Sequence, residues 1–191
     1  MTFGRTPAES LRLKLLGHVD DLASWGSEYV RSLAGEIGRE WAARTEERDA
    51  AAAAAAAAPS TGGGVGVTAA ASKDGDAAAT ALALLLGLPP SFEQLLALVR
   101  QIVPFNVAHN AEVEAVDLLL ETEQLSLLLE PGLGVDGGSF PRVCLYLLKC
   151  SDYLSTPEES AACCEVAFKL YLAHKQVRAR GLVGGGGGGH N

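Results

Sequence analysis

The sequence predicts an all-α protein of stacked helical hairpins, α-solenoid-like, with a low-complexity Ala/Gly linker and a disordered Gly-rich C-terminus. Three observations carry this. Outside the linker, apolar residues recur at steps of three and four, the period of a helix with one buried face. The last four such segments form two matching pairs offset by 48 residues, and stacked helix pairs of about that length are the unit of a solenoid. Glycine, alanine and proline gather between and after these segments, in runs that offer no apolar face to pack.

Residues 1–19 are expected to be a flexible N-terminus, with basic residues but no continuous apolar stretch of the kind a secretory signal needs. Residues 20–48 form an amphipathic helical segment, with a helix near 22–44. There Leu22, Trp25, Tyr29, Leu33, Ile37 and Trp41 make one stripe, and Asp20, Asp21 and Ser24 lie near its start, where acceptors suit free N–H groups. Gly26, Gly35 and Gly38 weaken it, each by about 1 kcal/mol relative to alanine. The two tryptophans belong to the stripe and are expected to pack against a neighbour.

Residues 49–90 read as a low-complexity linker. Nine alanines, 50–58, can prolong the preceding helix, because alanine has the best intrinsic propensity; Pro59 and Gly62–Gly64 then end it. "GGGVG" has neither a preceding strand nor a following Gly-Lys-Ser/Thr, so it is no phosphate loop. The apolar run "AAATALALLLGLPP" is shorter than the roughly 20 residues of a membrane span.

Residues 91–176 are the two-hairpin helical repeat region. Phe92, Leu95, Leu96, Val99, Ile102 and Val103 share a face in a helix near 92–103, and Pro104 is expected to interrupt it. A second helix, near 111–122, begins after Asn110 and turns Val113, Val116, Leu119 and Leu120 inward. After the loop "EPGLGVDGGS", helices near 140–153 and 158–174 repeat the pattern. Phe92 maps to Phe140, Leu95 to Val143, Val99 to Leu147, Ile102 to Cys150 and Phe105 to Tyr153. In the second helices Val113 maps to Ala161, Val116 to Cys164 and Leu118 to Val166. Residues 177–191 are expected to be a disordered tail ending in six glycines and "HN".

Bulk composition narrows the function. A net charge of −8 and a pI near 5.0 argue against nucleic acid and against an anionic membrane, since both need clustered Lys and Arg. Cys144, Cys150, Cys163 and Cys164 contain no C-x-x-C pair and read as buried thiols of a reducing compartment. The densest chemistry lies in "QIVPFNVAHNAEVEAVDLLLETEQL", where His109 precedes Glu112, Glu114 and Asp117. Glu112 and Glu114 point to different sides of a helix starting after Asn110, and His109 lies before it, so no H-E-x-x-H pairing shares a face. Asn110 as N-cap, with acids in the first turn, explains the stretch structurally. No catalytic, cofactor-binding or metal-binding residue is expected, and partner-binding residues remain unassigned.

The segments "LASWGSEYVRSLAGEIGREW", "IVPFNVAHNAEVEAVDLLLETEQLSLL", "RVCLYLLKCSDYL" and "CCEVAFKLYLAHKQ", in this order over about 20–44 and 91–176, resemble the N-terminal region of the large non-ATPase scaffold subunit of the 26S proteasome regulatory particle base. The "VPFNVAHNAEVEAVDLL" block is the distinctive part. The resemblance implies a non-enzymatic scaffold in ubiquitin-dependent degradation, located in cytoplasm and nucleus, with other base subunits including ATPases as partners and no cofactor. Three departures stand out. The Ala/Gly spacer replaces a shorter polar connector, the 130–139 loop is richer in glycine than the family's, and the chain stops before the family's toroid of proteasome/cyclosome repeats. It therefore looks like a truncated fragment, and the toroid's ubiquitin-receiving sites match nothing here. The alternative reading is an unrelated helical-repeat adaptor that binds partner proteins or peptides.

Overall fold

Every regular element among the described residues is helical, as the apolar period requires, and no strand occurs among them. The computed structural model describes residues 9–17, 22–57, 86, 88–133 and 135–183. The chain divides into two compact units, 1–98 and 99–191.

The first unit contains α1 (Glu9–Leu16), a 3-10 turn (Leu22–Trp25), α2 (Ser27–Ala57) and the start of α3 (Phe92–Ala108). α1 lies inside the segment expected to be flexible, and its reason for ordering is visible. Leu11 is fully buried, its N–H donates to the Glu36 carboxylate at 2.7 Å, and the Tyr29 hydroxyl donates to the Ser10 carbonyl at 3.0 Å. A carboxylate from α2 thus occupies the free N–H end of α1, where negative charge is favoured. The expected stripe is present, with Leu33 and Ile37 fully buried, but it is not one helix. Gly26, at φ +80°, separates the 3-10 turn from α2 and leaves Trp25 exposed, stacked on Tyr29 at 4.6 Å. The glycines at 35 and 38 leave α2 unbroken.

α2 also runs past residue 48 and through the alanines to Ala57, so the stretch expected to be linker begins inside a helix. Residues 58–85 of that stretch lie outside the described residues. Trp41 meets Phe92 edge-on at 4.8 Å, with Arg44 and Arg48 over the same ring at 5.9 and 5.7 Å. α3 opens with a capping box: the Ser91 N–H donates to Gln94 Oε1 at 2.8 Å, and the Gln94 N–H to Ser91 Oγ at 3.2 Å.

The second unit contains the rest of α3, then α4 (Glu112–Glu121), a 3-10 turn (Leu125–Leu129), α5 (Phe140–Cys150) and α6 (Pro157–Val183). Pro104 does not interrupt α3, which continues to Ala108. A proline removes one N–H and strains one turn, and here it falls in the helix's last two turns. The turn that follows corrects the expectation for Asn110, which holds φ +58°. Ala111 N–H donates to the Asn106 carbonyl at 2.8 Å and Asn110 N–H to that of Val107 at 3.2 Å. This is a Schellman closure with Asn110 as the left-handed residue ending α3, and Ala111 caps α4 without a side-chain bond. Glu123, at φ +57°, ends α4 in the same way, through Gln124 N–H to Leu119 O at 2.8 Å and Glu123 N–H to Leu120 O at 3.1 Å.

Burial repeats with the expected offset, one residue over from some of the expected positions. Leu95 and Val143, Val99 and Leu147, Ala115 and Cys163, Leu118 and Val166, and Leu119 and Ala167 are all buried pairs 48 apart. Val116 is buried but its counterpart Cys164 is exposed, and Val113 points outward. α5 and α6 pack as a hairpin, with Phe140 stacked on His174 at 4.6 Å and the Cys144 thiol donating to the Ala167 carbonyl at 3.4 Å. α6 reaches Val183, into the stretch expected to be a disordered tail; residues 184–191 lie outside the described residues.

Candidate functional site

The acidic stretch at the head of α4 is dispersed among separate partners. His109 is exposed, stacked on Phe105 at 4.2 Å, with Nδ1 2.7 Å from the Phe105 carbonyl. Glu112 is buried and accepts from Arg142, whose Nε lies at 2.9 Å and whose Nη2 also reaches Asn110 Oδ1 at 3.3 Å. Asp117 accepts from the Tyr146 hydroxyl at 2.7 Å. Among the described residues, no three His, Cys, Asp or Glu side chains gather as a metal site would require.

These contacts fasten α4 to α5, and their electrostatics are those of structural ties. The Arg142 hydrogen bond holds the Glu112 carboxyl below its usual range, against the opposing effect of burial. Tyr146 is pushed far up, first by its bond to Asp117 and then by burial. Burial raises the thiols of Cys144, Cys150 and Cys163, which keeps them protonated and poorly nucleophilic. In the loop before α5, Asp136 accepts from the Ser139 and Gly138 N–H groups at 2.7 and 2.8 Å, and these bonds lower its carboxyl. The ties between α4 and α5 join residues about 30 apart, so no local sequence pattern announces them.

What the arrangement offers to other molecules is surface. Leu145 and Leu148 of α5 and Phe168, Tyr171 and Leu172 of α6 are exposed. Their spacing of three and four sets each group on one helix face. Leu170, between Phe168 and Leu172 in sequence, is buried. A groove of about 470 Å³ lies between the Leu125–Leu129 turn and α6, floored by aliphatic side chains and edged by glutamates. The pattern of Glu158, Ala162, Glu165, Val166 and Lys169 marks this α6 face in the sequence, but only the fold shows what it opposes. Among the described residues, no helix is long and apolar enough to cross a membrane.

The family model described as the RPN1 N-terminal domain matches residues 1–180. The 26S proteasome non-ATPase regulatory subunit 2 of Dictyostelium discoideum is 36% identical over 176 residues, covering 92% of this chain and 15% of the relative. Homolog A of that subunit in Arabidopsis thaliana is 34% identical over 168 residues, 88% of this chain and 14% of the relative. The 26S proteasome regulatory subunit RPN1 of Candida glabrata is 33% identical over 178 residues, 93% and 16% of the two chains. The chain thus spans about 15% of the length of the curated relatives it matches.

Proposed function

Since the chain belongs to the RPN1 N-terminal domain family, we propose that it is a non-catalytic scaffold segment of the 26S proteasome regulatory particle base, acting in ubiquitin-dependent protein degradation. Its work is positional. Rigid helix pairs hold surfaces near the ATPase ring, and a tethered substrate then meets the machinery at a raised effective concentration. Its partners are other base subunits, ATPases among them, and its place is the cytoplasm and nucleus. The observation that carries this reading is the family match over residues 1–180, together with relatives named as non-ATPase regulatory subunits. Ties such as Glu112–Arg142 and Tyr146–Asp117 are consistent with it, because they spend the chain's polar groups on holding helices together.

A replacement experiment tests it. The matching N-terminal segment of the Dictyostelium subunit is exchanged for this chain, and incorporation of the hybrid into regulatory particles is read on native gels. The hybrid should enter the particle. A soluble hybrid that stays outside it, when the unaltered subunit enters, would contradict the proposal.

A further inference from the structure

We propose that the groove between the Leu125–Leu129 turn and α6 is a docking site for an amphipathic helix of a partner protein, one whose aliphatic face is bordered by lysines or arginines. The site goes beyond the scaffold reading, and it lies apart from the exposed α5–α6 face of Leu148 and Phe168.

Shape and floor come first. The cavity of about 470 Å³ falls within the range of ligand clefts, and Leu120, Leu125, Leu129 and Val166 line it. Such a floor rewards aliphatic side chains. The edge specifies charge: Glu123, Glu158, Glu159 and Glu165 face one cation, Lys169, whose ammonium is already 2.5 Å from Glu165. An anionic occupant is excluded and a cationic border is matched. Glu158 and Glu165 stand seven residues apart on α6, about 10.5 Å along its axis. Basic side chains two turns apart on a docked helix would meet both, while its residues at i, i+4 and i+7 fill the floor. Glu123 adds an independent sign. It holds a left-handed backbone conformation that glycine adopts without strain, yet a glutamate stands there, lining the groove.

The test uses the whole chain and a synthetic helix of about 16 residues, with leucines at i, i+4 and i+7 flanked by lysines, followed by fluorescence anisotropy. Saturable binding is expected. It should weaken by about tenfold when the peptide's lysines become glutamates, and it should fall steeply with added salt. Glu158→Lys with Glu159→Lys should produce a similar loss. Glu46→Lys with Glu47→Lys, exposed on α2, should leave affinity unchanged, and circular dichroism should show equal helix content in both variants. The proposal is overturned by equal losses in the two double variants, which would mean attraction to net charge alone. Undiminished binding of the charge-reversed peptide, or no saturable binding, would overturn it too.

Discussion

Asn110 and Glu123 each hold a left-handed backbone at the end of a helix, a conformation costing a non-glycine residue roughly 1–2 kcal/mol. Glu123→Gly should therefore stabilise the fold by about 0.5–1 kcal/mol in urea unfolding, and a loss of stability would show that the closure is misread. Asn110→Ala should destabilise by about 1 kcal/mol through strain, while Asn110→Gly should be close to neutral. Glu112 contributes to the response to acid. Its folded pKa lies below the ordinary value of 4.5, so the pairing with Arg142 stabilises above that pH and is lost as pH falls through the lowered value. Glu112→Gln should cost about 1–2 kcal/mol at pH 7 and flatten the decline below pH 4.5. If the variant loses stability as steeply as the parent in that window, the decline belongs to other carboxylates.

Helix identity was legible in the sequence because the apolar period is strong: the stripes through Leu33 and Ile37, Leu95 and Val99, and Val143 and Leu147 are all buried. Helix ends were less legible. Pro104 reads as a stop, but near a C-terminus it removes only one bond. Asn110 suits either end of a helix, and only its backbone angle decides. α1 escaped because its order depends on Glu36, 25 residues from Leu11. The surface groove was hidden for the same reason, since the Leu125–Leu129 turn and α6 are brought together by the fold. Two substitutions separate the faces of α4. Leu119→Ala should cost about 2–5 kcal/mol, and Val113→Ala, at an exposed position, much less. In α2, residues 51–57 are all exposed. Ala53→Pro should therefore lower far-UV helix signal while leaving the urea midpoint nearly unchanged, and a large midpoint shift would reveal packing along the alanines.

For the whole molecule, family membership sets aside the reading as an unrelated adaptor and makes the exposed α5–α6 face the feature to explain. Exposed apolar side chains grouped on a repeat protein often mark an interface. Expressed alone, the 191-residue chain should self-associate through this face, and Leu148→Glu with Phe168→Glu should return it to a monomer in analytical ultracentrifugation. The most direct test of the scaffold account is affinity purification of the tagged chain from its own cells, read by quantitative mass spectrometry. Enrichment of proteasome base subunits is the predicted result. Recovery of the soluble chain without base subunits would contradict it.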